Sequence, residues 1–480
     1  MVGSVTRPAR PVPRRSARST PWRAPAIAGL LTTGVAITGT TASFSGDELA
    51  TYNAATRSLD ALWELAKHID GHFLPYYLFM HLWTLLGGHA EWWMRLPSAI
   101  GVGIAAALLT DLGRRLHGTA AGLCAAAIFA VLPSVSFHGA NARPYAFAAA
   151  AAALSAWALH RVLERPTRGR LAGYAGAVAL LGCTHLFSAL VLPAQVLAAL
   201  CHRVPLLRFL PALAAGCVPM AVLGVIGYQE RHAISWIQPA EPEILLRYPK
   251  MLTGSVPVGW ALLLLAVAGL AVLWRRGRAG AVLVAGWLLL PPPLLLTISA
   301  LITPAYVDRY LFPAAPALAL AAGIAVASLG RLAVPVIVIV AALGLPTQAD
   351  YRQRNGHYDD FPGAVQVIKD RARPGDAIIY GQSRLRTGFG YYADGPLPDD
   401  VLRVGTAPSA TGFGYPERSD VAAALAGRRR VWVVWRGTKE EGLSGSKIPV
   451  IEKVRDAGFR LAFAWHSAEL PGLTVTLFTR

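Results

Sequence analysis

Long apolar runs separated by short, arginine-marked connections fill the chain from Pro25 to about Leu345. Each run is a candidate membrane crossing, which takes roughly 20 apolar residues. The first, Pro25 to Phe44, follows Arg7, Arg10, Arg14, Arg15, Arg18 and Arg23. Basic residues stay on the cytoplasmic side, so this run reads as a retained signal anchor that carries the chain outward. An outer loop over residues 45–95 leads to a second run, Leu96 to Gly113, which ends inside at Arg114 and Arg115. The third, Gly118 to Phe137, goes out to His138, Asn141 and Arg143, and the fourth, Pro144 to His160, returns to Arg161, Arg165, Arg168 and Arg170. Leu171 to Leu200 is short for two crossings, yet Arg170 and Arg203 belong on one side; two short helices with a turn near His185 satisfy both. The seventh run, Leu207 to Gly227, opens an outer loop at 228–251. The eighth ends at Arg275, Arg276 and Arg278, the ninth at Ala305 and Tyr306. The tenth starts near Tyr310 and ends at Arg331, and Leu332 to Leu345 is the eleventh.

The pattern predicts a polytopic α-helical membrane protein of about eleven transmembrane helices, with residues 1–24 as a basic cytoplasmic tail and 25–346 as the membrane domain. Beyond Pro346 the apolar runs are too short to span. A helix at 361–373, strands at 376–380, 431–435 and 460–465, and a helix at 450–457 predict a small α/β domain over 347–480. An odd number of crossings makes that domain extracytoplasmic.

Composition supports this picture. The chain is 54% hydrophobic and 15% charged, where soluble domains carry about 25% charged residues. Its net charge of +18 arises at the ends of apolar runs, and no nucleic-acid motif accompanies it, so nucleic acid is excluded as a partner. Cys124, Cys183, Cys201 and Cys217 lie in or beside apolar runs without metal-ligand spacing, and they predict no disulfide framework.

Candidate chemistry gathers on the outer face. The first loop carries Asp47 and Glu48, then Pro75-Tyr76-Tyr77, His81-Leu82-Trp83 and Arg95-Leu96-Pro97-Ser98. Ala142-Arg143-Pro144-Tyr145 opens the fourth run from outside, and Asp308-Arg309-Tyr310-Leu311 opens the tenth. Asp47 and Glu48 fit either a helix N-cap followed by an acidic first turn or a catalytic base. Arg143 and Arg309 oppose the positive-inside bias, which favours phosphate binding over membrane anchoring. His185, Tyr145, Tyr310 and His81 are candidate substrate contacts, with packing and interfacial roles as alternatives. Glu230, Arg231 and His232 read as a solvated face. Burial near the lipid boundary is expected to raise the pKa of the basic carboxylate. The acidic pair alone has too few ligands for a closed metal site, and no cofactor is implied.

In order and sidedness these motifs resemble the GT-C superfamily of glycosyltransferases, in the group of protein O-mannosyltransferases and aminoarabinose transferases, over about residues 25–350. The resemblance implies a sugar donor on a polyprenyl phosphate and a protein, glycolipid or polysaccharide acceptor outside the cytoplasm. It also implies a cell-membrane location, with Asp47 as general base and Glu48 second. For an Ala- and Arg-rich chain of actinobacterial style, mannose and arabinose are the candidate sugars. Relatives often carry a Glu where Asn141 stands, which argues against a second acidic site. The competing class is a transporter or flippase of a lipid-linked envelope precursor, which would use the same cations without a base.

Overall fold

The computed structural model describes residues 22–445, 447–468 and 471–480, so most of the basic tail lies outside the described residues. The first helix, α1 (Arg23–Ile37), is only 15 residues long. It stops short of Phe44 because the Thr38 and Thr40 hydroxyls turn back to the carbonyls of Val35 and Ile37, a local bond that competes with helix continuation. The outer loop folds into α2 (Gly46–Ala55), α3 (Leu59–Ala66) and α4 (Leu74–Gly87). The bundle follows as α5 (Glu91–Leu116), α6 (Thr119–Val131), α7 (Pro133–Gly139), α8 (Tyr145–Glu164) and α9 (Arg168–Thr184). After α10 (Leu192–Cys201) and α11 (Leu206–Gln229) come α12 (Tyr248–Thr253), α13 (Val256–Arg276), α14 (Arg278–Leu289), α15 (Pro291–Leu301), α16 (Ala315–Ser328) and α17 (Ala333–Tyr351).

Among the described residues, six helices are long and apolar enough to cross a membrane, or eight if α6–α7 and α14–α15 each form one bent span. The bends are 69° and 43°, and Pro133 and Pro291 stand at the two breaks, where proline removes a backbone donor. By length alone six to eight of the eleven expected crossings reach a full span; α1, α9 and α10 are shorter. The break inside residues 171–200 falls at His185, whose extended backbone (φ −165°, ψ 132°) separates α9 from the turn before α10. Its Nδ1 accepts the Phe187 N–H at 3.2 Å and fixes that turn.

Residues 361–480 carry α18 (Phe361–Lys369), α19 (Leu385–Tyr392) and the strands β1 (Ala377–Tyr380), β2 (Asp399–Asp400), β3 (Arg430–Arg436), β4 (Arg460–His466) and β5 (Leu473–Thr479). The sheet order is β2-β1-β3-β5-β4. β2, β1 and β3 run parallel, with Ile378 opposite Trp432, and β3–β5–β4 run antiparallel, with Val433 opposite Thr476. One sheet face buries Ile379, Val431, Val433 and Trp435 against Ile451 and Val454. The other face, with Ile378, Trp432 and Val434, is continuous with Phe44, Leu49, Phe73 and Tyr77 of the outer loop. The C-terminal unit and the loop therefore share one core.

Small residues let the bundle helices approach closely, as expected where lipid supplies no hydrophobic drive between helices. A Cβ at Gly269 on α13 would overlap the carbonyl oxygen of Ala321 on α16. Gly269→Leu is expected to destabilise the bundle by about 1–3 kcal/mol, read as a lower unfolding temperature in detergent. An unchanged midpoint would show that the two helices separate without cost.

Candidate active site

α2 begins with a capping box. The Ser45 Oγ accepts the Glu48 N–H at 3.3 Å, and Glu48 Oε2 accepts the Ser45 N–H at 3.0 Å. Consecutive helical residues point about 100° apart, so the two acids face different surroundings. Glu48 turns inward and its side chain is wholly buried. Arg95, at the start of α5, meets it through Nε at 2.7 Å and Nη2 at 2.9 Å. The Ala142 N–H donates to the same carboxylate at 2.9 Å, and His357 Nδ1 lies 3.1 Å away. Arg95 also donates to the carbonyls of Thr40, Ala42 and Ser43. These carbonyls lie in the irregular segment that follows α1. Burial opposes ionisation of Glu48, but Arg95 and His357 outweigh it and hold the carboxyl well below the ordinary range. Among the described residues Glu48 is not part of the lining of the cavity beside Asp47, and its oxygens are engaged by Arg95, Ala142 and His357, the arrangement of an internal anchor.

Asp47 turns the other way, and its side chain is 53% exposed, open to a cavity of about 460 Å³. Arg309 Nη2 lies 3.8 Å from its carboxylate. Arg143 reaches the Asp47 carbonyl at 3.4 Å and the Tyr77 hydroxyl at 3.4 Å, with its guanidinium 4.9 Å from the Phe73 ring centre. Tyr77 in turn donates to Asp70 at 2.7 Å. Arg309 sits between Trp236 and Tyr310, at 5.6 and 5.8 Å from the ring centres. The Nε atoms of both arginines are buried and have no partner among the described residues. Burial would raise the pKa of Asp47, but Arg143, Arg309, Arg436 and Arg384 together lower it below the ordinary aspartate value. The expected upward shift is therefore reversed, because the cations lie closer than the sequence could reveal.

Five of the predicted residues meet on this cavity wall: Asp47, Arg143, Tyr145, Arg309 and Tyr310. His185 is buried behind it, its ring 5.4 Å from Tyr145 and 4.8 Å from Tyr310. It props the two tyrosines rather than facing the space. His81 is elsewhere, with Nδ1 2.9 Å from the Ala55 carbonyl at the end of α2. The 228–236 loop is not simply solvated. Glu230 accepts the Gly71 N–H at 2.9 Å, and Arg231 and Trp236 line the cavity. Sequence reasoning also missed Arg384, Arg436 and Phe413, which reach the cavity from the C-terminal unit. No periodicity marks such long-range neighbours. Among the described residues, no group of three or more His, Cys, Asp or Glu is placed to hold a metal ion.

The overall fold is found among solved proteins. The chain is similar to ArnT from Cupriavidus metallidurans bound to undecaprenyl phosphate, at 14% identity and TM-score 0.54 over 94% of this chain and 96% of that one. It is similar to the same protein in the apo state, at 16% identity and TM-score 0.53 over 93% and 96% of the two chains. Residues 73–228 match the family described as dolichyl-phosphate-mannose-protein mannosyltransferase. No curated protein matches the chain in sequence. The resemblance to the GT-C glycosyltransferases is borne out in fold and in this segment.

The two acids differ in their expected sensitivity. Glu48→Ala leaves Arg95 buried without its partner and is expected to cost about 3–5 kcal/mol, whereas Asp47→Asn, at a screened and half-open position, should change stability by less than about 1 kcal/mol. Because the Glu48 pKa is lowered in the fold, its contribution is fully present above the unfolded value, about 4.3, and is lost as pH falls toward the folded one. Thermal unfolding of both variants across acid pH checks the contrast. Equal destabilisation by the two substitutions would refute it.

Proposed function

We propose that this protein is an integral-membrane glycosyltransferase that moves mannose or arabinose from a polyprenyl-phosphate donor to an extracytoplasmic acceptor, with inversion. The observation that carries the reading is the Asp47 carboxylate, open to a cavity between two arginines whose buried Nε donors are unused. The apolar part of the same wall, with Leu190, Met220, Ile298 and Ile302, suits an isoprenoid chain beside the phosphate.

In this reading an acceptor hydroxyl loses its proton to Asp47 as its oxygen bonds to the anomeric carbon. The bond from that carbon to the phosphate oxygen breaks, and the phosphate leaves with the electron pair. Arg143 and Arg309 hold the growing negative charge through charge-assisted hydrogen bonds. A phosphate leaving group needs no general acid, so one base and these cations suffice. The cavity end of the bundle, and with it the C-terminal unit, then faces outward. A cysteine placed at exposed Ser419 should react with an impermeant maleimide in intact cells; labelling only after permeabilisation would reverse the orientation.

Transfer from polyprenyl-phosphate mannose and polyprenyl-phosphoarabinose to cell-envelope extract, by purified protein in nanodiscs, tests the chemistry. Asp47→Asn should lower turnover by about 10²–10⁴-fold with donor binding retained. Unaltered transfer would remove Asp47 as the base. A pH signature accompanies it. The bound phosphate offsets the arginines that depress the Asp47 pKa, so the pKa rises on donor binding. The acid limb of kcat should therefore lie at higher pH than that of kcat/KM, since the first reports the complex and the second the free enzyme. Coincident limbs would contradict this coupling.

A further inference from the structure

Two arginines are enough for one phosphodiester, yet four surround Asp47. They come from two different partners. Arg143 and Arg309 belong to the bundle, whereas Arg384 precedes α19 and Arg436 ends β3 in the C-terminal unit. Arg436 is held in place, its Nε 2.8 Å from Asp359 Oδ1, while Asp359 Oδ2 accepts the Gly46 N–H at 2.7 Å beside Asp47. Arg384 is different. Its guanidinium is exposed on the cavity wall and makes no hydrogen bond or ion pair with the described residues. An arginine pinned beside Asp47 and a second one left free line the same cavity, and two guanidiniums on one wall suit an anion.

We infer that Arg384 and Arg436 form a second anion subsite, and that the acceptor carries a phosphate or carboxylate near the hydroxyl that Asp47 deprotonates. This rests on the proposed transferase reading and names the acceptor class for it. A single displacement needs nucleophile and leaving group on opposite sides of the anomeric carbon. In this proposal the bundle arginines serve the leaving phosphate and the arginines of the C-terminal unit serve the nucleophile's side. Thr387 and Phe413, from the same unit, line the same cavity and offer a hydroxyl and a ring to a sugar or peptide acceptor. Neutral acceptors would leave Arg384 without a partner.

The test uses the full chain in nanodiscs preloaded with undecaprenyl phosphate, so that the bundle arginines are occupied. Binding of methyl glucoside, its 6-phosphate and methyl glucuronide is measured by calorimetry. At least one of the two anionic sugars should bind about tenfold or more tightly than the neutral one, and which of them does so identifies the anion. Arg384→Gln should erase that preference and Arg384→Lys should restore most of it. Because Arg384 has no structural partner, its loss tests binding rather than folding. Equal binding of all three sugars, or a preference that survives Arg384→Gln, would overturn the subsite. Undecaprenyl phosphate binding, measured alone in wild type and Arg143→Gln, reports the transferase reading separately. If the lipid does not bind, that reading fails and the sugar preference is judged on the empty cavity by the same criterion.

Discussion

The buried pair of Glu48 and Arg95 organises the outer end of the molecule. A charge taken out of water costs several kcal/mol unless its partners replace the lost hydration, and here they do. Glu48 receives Arg95 on both oxygens and also the Ala142 N–H. Arg95 spends its remaining donors on the carbonyls of Thr40, Ala42 and Ser43. One ion pair thus joins the segment after α1, the first turn of α2, the start of α5 and the turn that leads into Arg143. With those four pieces fixed, Asp47 has one direction left, into the cavity, and Arg143 arrives beside it. His357, kept neutral by burial despite the nearby carboxylate, extends the network to the chain that leaves α17.

Electrostatics then decide what Asp47 can do. A carboxylate among four guanidiniums is a weak base, since its proton affinity is reduced by every cation nearby. A lone carboxylate buried in lipid would be a strong base and mostly protonated. In the proposed reaction the donor would resolve that conflict: its phosphate would neutralise part of the positive charge that lowers the Asp47 pKa in the empty cavity and so return basicity to the carboxylate. The Nε atoms of Arg143 and Arg309 are buried and make no hydrogen bond among the described residues.

Much of this was legible along the chain, for identifiable reasons. Apolar runs bounded by arginine gave the helical segments, because hydropathy and charge are local properties. The break at His185 followed from counting length against sidedness, whereas the capping box of Ser45 and Glu48 places the helix start two residues before the Asp47 cap that the sequence offered. Asp47, Arg143, Tyr145, Arg309 and Tyr310 were recognisable because each flanks an apolar run on the same side. The division of labour between Asp47 and Glu48 was not. Both lie in one turn, and only the arrival of Arg95, 47 residues away, makes one an anchor. Arg384, Arg436 and Asp359 were illegible for the same reason. They follow from tertiary closure of a sheet whose register no local pattern announces.

That closure bears on how the site works. Linked domains move relative to each other by default unless their interface is large and hydrophobic. Here the inner sheet face and the outer loop form one continuous apolar core, and polar ties reinforce it. The Phe44 N–H donates to the Tyr392 hydroxyl at 2.6 Å, and Tyr392 reaches Glu91 on α5. The Ser43 N–H donates to the Arg354 carbonyl at 2.6 Å. Asp47, the bundle arginines and the C-terminal arginines are therefore parts of one body rather than of two that must come together. A preassembled charge arrangement of this kind needs little reorganisation as charge develops, which is the condition under which fixed cations stabilise a transition state most.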